Sequence, residues 1–184
     1  MSQNLYVAIL PPPDAVYDLR LACESLATDG LAVAAGEGRF RPTPVDEWHV
    51  TLAYLGDRSE GELPEVREGL ARLAARHSLF LVGLVAAGIF EGGVLWAGVG
   101  GARQNLIELA NQARHQLNAD RTYPYMPHLT LAKADESVNL APLVAAMVDY
   151  RGPAWWVDRI HLMLSGSDGA LDRSIASWPL TGRS

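Results

Sequence analysis

An α+β fold built from two similar halves is what this sequence predicts, on three observations. Runs of β-forming residues alternate with stretches of helical spacing. Gly-rich turns join neighbouring β runs, which favours antiparallel or mixed sheets. One pentapeptide occurs twice, as His49-Val50-Thr51-Leu52-Ala53 and as His128-Leu129-Thr130-Leu131-Ala132, the second histidine 79 positions after the first.

Leu5 to Leu10 reads as a strand stopped by Pro11-Pro12-Pro13. Asp14 to Ala27 has helical spacing, with Val16, Leu19, Cys23 and Leu26 on one stripe. A Gly-rich stretch from Gly30 to Gly38 leads to the extended segment Arg39-Phe40-Arg41. Trp48 to Leu55 is the first motif strand, ended by Gly56-Asp57. Leu63 to Arg76 is a helix with Val66, Leu70 and Leu73 inward. Strands Leu79 to Phe90 and Val94 to Val99 flank the hairpin signal Glu91-Gly92-Gly93. Ala102 to Leu117 is the clearest helix, and the polar loop Asn118 to Pro127 follows it. Pro127 to Lys133 is the second motif strand, and Leu140 to Tyr150 a short helix. Trp155 to Leu164 and Ile175 to Leu180 read as two closing strands around a Gly/Ser/Asp turn. Nothing resembles a linker, so residues 1–184 are expected to form one domain of two intertwined lobes, each with one motif.

The composition narrows the function. A net charge of −6 disfavours a protein that coats nucleic acid nonspecifically, though not one that grips a single terminal phosphate. No apolar run approaches the roughly 20 residues of a membrane helix, and the N-terminus lacks a basic region and apolar run of signal type. A cytoplasmic protein without membrane contact is expected, with a monomer as its state. Cys23 is the only cysteine and reads as a core residue. Fourteen of the fifteen basic residues other than histidine are arginines, and the single lysine, Lys133, lies five residues after a motif histidine.

In a strand, residues two apart share a face, so each His and Thr point together while Val50/Leu52 and Leu129/Leu131 point to the core. Histidine exchanges protons near neutral pH, and two of them allow one neutral base and one protonated acid. In-line displacement at phosphorus places the attacking and leaving oxygens on opposite sides, which suits one histidine per lobe. Thr51 and Thr130 can donate to the nonbridging oxygens, and Lys133 can add a cation. This scheme needs no cofactor and no metal, and the five histidines form no ligand-spaced cluster.

These motifs resemble the two-histidine (2H) phosphoesterases, specifically the RNA 2′,3′-cyclic phosphodiesterases of the LigT/ThpR type. The resemblance extends to Tyr6-Val7-Ala8-Ile9, to Val94 through Val99, to Ile160 through Ser165 and to Trp178-Pro179-Leu180. It implies a two-lobed duplicated fold, with curved and mainly antiparallel sheets around a central cleft and helices outside. It implies that His49 is the proton donor to the leaving ribose oxygen and His128 the proton acceptor that activates water. It also implies hydrolysis of RNA 2′,3′-cyclic phosphate ends, tRNA fragments among them, to 2′-phosphates, and a reverse reaction joining RNA 2′–5′. Where this chain has Lys133, the family commonly has arginine; lysine keeps the charge and loses the bidentate fork.

An RNA end also needs a surface for its base, and aromatic rings or arginine planes provide one. Tyr123 and Tyr125 before the second motif, and Phe40 and Arg41 before the first, are the candidates. Trp155, Trp156 and Trp178 read as structural. So do His77 and His115 at helix ends and His161 in a closing strand. Gly98-Val99-Gly100-Gly101 lacks the P-loop lysine pattern and reads as a turn. Two alternatives stand beside the RNA enzyme: a phosphodiesterase for small cyclic nucleotides or ADP-ribose cyclic phosphate, and a nucleotide-binding module with little turnover.

Overall fold

The computed structural model describes residues 2–26, 39–166 and 170–182. The last residue of the first expected helix, Ala27, and the Gly-rich stretch Gly30 to Gly38 lie outside them. Among the described residues nine strands form one antiparallel sheet. They are β1 (Ser2–Ile9), β2 (Phe40–Pro42), β3 (Val50–Ser59), β4 (Phe80–Phe90), β5 (Val94–Gly101), β6 (His128–Ala134), β7 (Trp155–Val157), β8 (Arg159–Leu164) and β9 (Arg173–Pro179). Among the described residues four α-helices accompany them: α1 (Pro13–Leu26), α2 (Leu63–Arg76), α3 (Arg103–Gln116) and α4 (Ala141–Ala146).

The spatial order is β7-β4-β5-β6-β3-β1-β8-β9, with β2 pairing β6. The two motif strands, β6 and β3, therefore meet at the middle, with three strands beyond each. They touch through the pair Val50 and Leu129. The first strand of this order and the last but one are joined by a link of one residue, Asp158, between β7 on β4 and β8 on β1. A single residue spans only about 3.8 Å per Cα step, so the sheet must curl until its distant strands approach. The expected single strand Trp155 to Leu164 is thus two strands, one for each half of the sheet.

All four helices pack on one face of this curled sheet. Leu19 of α1, Leu70 and Leu73 of α2, Leu106 and Leu109 of α3 and Leu143 of α4 join Val7, Leu52, Leu84 and Leu129 in one buried core. The halves exchange helices: α1 lies against β4, whereas α3, which leaves β5, lies against β3. The expected helix Leu140 to Tyr150 ends early at Ala146. Its last residue is diverted instead: Tyr150 donates its hydroxyl to Asp18 of α1 at 2.7 Å and accepts the Ala86 N–H at 2.9 Å.

The opposite face carries a small cluster of Tyr6, Ala8 and Met163 and the motif His and Thr side chains. Two glycines let backbone or ring approach closely there. Gly93, at φ +75°, closes the β4–β5 hairpin where a Cβ would lie 2.1 Å from the Ala134 carbonyl oxygen. Gly88 leaves room for the indole of Trp96, which its Cβ would meet at 2.2 Å. Among the described residues no helix is long and apolar enough to cross a membrane.

Candidate active site

The repeated pentapeptide folds the same way twice. In each copy the central apolar residue, Val50 or Leu129, is completely buried, and the His and Thr on either side are half-buried. Val50 pairs with Leu129 in antiparallel register. One step to either side, that register sets His49 beside Thr130 and Thr51 beside His128. All four side chains share the face away from the helices.

The Leu-Ala that ends each copy has its own structural meaning. Pairing of β1 with β3 jumps from Ala8–Thr51 to Val7–Ala53, which leaves Leu52 as an extra residue. Pairing of β5 with β6 jumps from Trp96–Thr130 to Leu95–Ala132, which leaves Leu131 extra. Two consecutive buried residues in each strand are the consequence. Each bulge reverses the facing of the residues beyond it. Strict alternation from Thr130 would send position 133 into the core. The bulge brings Lys133, opposite Val94, back to the face of Thr130 and Trp96.

Both imidazoles are held in the same orientation. His49 Nδ1 lies 2.6 Å from the Glu47 carbonyl, and His128 Nδ1 lies 2.7 Å from the Met126 carbonyl. A carbonyl only accepts, so Nδ1 must carry hydrogen in both. The neutral ring then presents Nε2 as an acceptor and the protonated ring presents it as a donor. Burial pushes both histidines below their ordinary pKa, opposed in each by the hydrogen bond to the carbonyl. The two rings repel when both are charged, so protonation of one disfavours protonation of the other.

Other expected contacts divide between the two faces. Arg41 pairs directly with Lys133 and shares its face, with an ion pair to Asp135 at 3.7 Å. Phe40, its neighbour, faces the other way; its ring borders a 270 Å³ apolar cavity with Cys23, Trp48 and Leu143, so it does not stand beside the histidines. Burial in that region pushes the Cys23 thiol up to about 11. Tyr125 packs against the core and donates its hydroxyl to the Thr51 carbonyl at 2.8 Å. Tyr123 is exposed, and its carbonyl accepts from Arg114 at 2.9 Å. His77 meets Gln112 at 3.1 Å. His161 contacts Ser174 at 2.9 Å, yet it sits opposite Ala8, which pairs with Thr51, so it shares the face of the site.

Three aromatic residues beside the histidines escape a reading by strand pattern. Phe90 meets the His128 ring edge-on with centroids 4.8 Å apart, and Trp96 lies 6.5 Å from it. Tyr6 lies against the His49 ring at 4.8 Å. Trp96 had a signal in the sequence, because it stands across the hairpin from a glycine. Among the described residues no group of three or more His, Cys, Asp or Glu is placed to hold a metal ion.

Known proteins share this fold. The crystal structure of E. coli LigT complexed with 3′-AMP has a TM-score of 0.76 and 26% identity, covering 98% of this chain and 99% of that one. Its apo form gives 0.74 and 27% over 98% and 99%. An RNA 2′,3′-cyclic phosphodiesterase of Escherichia coli (strain K12) is 34% identical over 110 residues, which cover 55% of this chain and 60% of that protein. A protein of the same name from Aeropyrum pernix is 31% identical over 107 residues, covering 54% and 60%. The chain thus aligns with 60% of the length of these two relatives. Residues 25–169, both motif strands included, match the family described as the 2′-5′ RNA ligase superfamily, and the chain belongs to it.

Proposed function

We propose that this protein opens 2′,3′-cyclic phosphate ends of RNA to 2′-phosphomonoesters by metal-independent acid–base catalysis. The observation that carries the proposal is the pair of imidazoles on one sheet face, each with Nδ1 committed to a carbonyl and Nε2 left to the substrate. His128 Nε2 accepts a proton from water as its oxygen attacks phosphorus. The bond from phosphorus to O3′ breaks, and His49 Nε2 gives its proton to that oxygen. Thr51 and Thr130 donate to the nonbridging oxygens, where negative charge must be held. The histidines recover their starting protonation by exchange with solvent. With a ribose 5′-hydroxyl attacking in place of water, the same steps join RNA 2′–5′: His128 takes the hydroxyl proton, the bond from phosphorus to O3′ breaks and His49 protonates O3′.

Lys133 and Arg41, side by side on this face, supply positive charge for phosphates further along the chain. Phe90 and Trp96 offer ring surface beside His128 for the terminal base. The names of the E. coli and Aeropyrum relatives, and the 3′-AMP bound by LigT, support an RNA end as the substrate. Comparing kcat/KM for a cyclic-phosphate oligonucleotide and for a cyclic mononucleotide tests this choice. A gain with added nucleotides is expected; equal values would favour a small cyclic phosphodiester. Ligand binding without turnover would favour a binding module.

A further inference from the structure

The two motif histidines are held alike and surrounded differently. Next to His49 lies the ring of Tyr6, tilted by 33° with centroids 4.8 Å apart. The Tyr6 hydroxyl donates to Asp172 Oδ2 at 2.5 Å. The other carboxylate oxygen of Asp172 accepts the Gly166 N–H at 2.7 Å and the Ser165 hydroxyl at 3.5 Å. Asp172 is thus held between Tyr6 and the residues that follow β8, whose Met163 pairs with Tyr6, and its negative charge favours the protonated form of His49. The rings around His128 are Phe90 and Trp96, which carry no charge.

We propose that Asp172 and Tyr6 are positioning residues that break the symmetry of the pair, keeping the proton on His49 and leaving His128 unprotonated. The proposal rests on the two-histidine mechanism and assigns what selects its acid and its base. Two imidazolium ions in one site repel, so the pair holds one proton over its working range, and a small difference in environment decides where. Negative charge nearby stabilises the protonated ring. The groups facing His49 are Glu47 from the preceding turn, Tyr6 from β1, Asp172 ahead of β9 and His128 across the seam. Burial opposes protonation of both histidines. His49 regains it from the Glu47 carbonyl and the Asp172 and Glu47 carboxylates, and His128 from the Met126 carbonyl. Tyr6 stays neutral, because burial and Asp172 raise its phenol far above the ordinary range.

The test is an NMR titration of the imidazole signals of the full chain without substrate, for wild type, Asp172→Asn and Tyr6→Phe. His49 is expected to titrate above His128 in wild type. Asp172→Asn should lower the His49 midpoint by about 0.5 pH unit or more and leave His128 in place. Tyr6→Phe keeps the ring and frees the carboxylate, so it should move His49 in the same direction even if Asp172→Asn does not fold. Asp172→Glu should restore most of the shift. A His49 midpoint that stays put in both variants, or equal movement of both histidines, would overturn the proposal. So would a His128 midpoint above that of His49 in wild type. Because the titration needs no turnover, an inactive protein would count against the catalytic reading and leave this result standing. Where turnover is seen, the alkaline limb of kcat/KM should shift to lower pH in Asp172→Asn with the acid limb unchanged.

Discussion

Val50 and Leu129 face each other across the seam of the sheet, both fully buried, and the histidine and threonine of each motif flank them. This one contact sets the distance between the two halves of the site. Leu129→Ala is therefore expected to cost about 2–5 kcal/mol of stability through the cavity it leaves. It should also lower kcat more than an equally destabilising change in α3, such as Leu109→Ala. Urea denaturation with kinetics on both variants checks this. Equal kcat in the two would separate the seam from the chemistry.

Tyr125 ties the approach of the second motif strand to the backbone of the first. Tyr125→Phe removes that donor, keeps the ring and should cost about 1 kcal/mol of stability. KM for a cyclic-phosphate RNA should stay close to wild type. A several-fold rise in KM with unchanged stability would instead place the phenol against the substrate.

Lys133 reaches the site face only because of the Leu131 bulge. Lys133→Ala is expected to raise KM roughly tenfold with little change in kcat, as loss of one charge-assisted phosphate contact would. Lys133→Arg should restore or improve binding, since the guanidinium adds a second parallel donor. A kcat loss that dominates in Lys133→Ala would place the lysine in the transition state rather than in binding.

The pH dependence is set by burial. Both imidazoles are pushed below the ordinary histidine value, so both lose their proton at lower pH than free histidine does. On the proposed mechanism the acid limb of kcat/KM, where His128 gains a proton, and the alkaline limb, where His49 loses one, should both move down. The maximum is expected on the acid side of about 6.5, the unperturbed histidine pKa. Steady-state rates across pH 5–9 measure it. A flat profile would mean that proton transfer does not limit the rate.

Period and punctuation in the sequence revealed more of the faces than of the edges. The helix Leu63–Arg76 and the Gly92-Gly93 hairpin matched their signals because stripe and turn chemistry are local. That the His and Thr of each motif share a face was legible from alternation; that the two motif strands pair with each other was not. The bulges were not: Leu52 and Leu131 look like ordinary inward residues, and only the jump in pairing reveals an extra one. The break at Asp158 was equally silent, since β7 and β8 answer to partners at opposite ends of the strand order. Phe40 obeys the same logic. Its neighbours suggested a place beside the substrate, but its parity in β2 turns it toward the cavity under α1. Asp172 was invisible as a site residue, because its tie to Tyr6 spans 166 positions.

The central claim is that two histidines, without a metal, move protons at the ends of one breaking bond. Incubating a short RNA 2′,3′-cyclic phosphate with the protein in excess EDTA, and monitoring phosphorus NMR, tests it most directly. Wild type should yield the 2′-phosphate. His49→Ala and His128→Ala should each lose about 10²–10⁴-fold in rate. Activity abolished by EDTA in wild type, or near wild-type turnover in either histidine variant, would contradict the account.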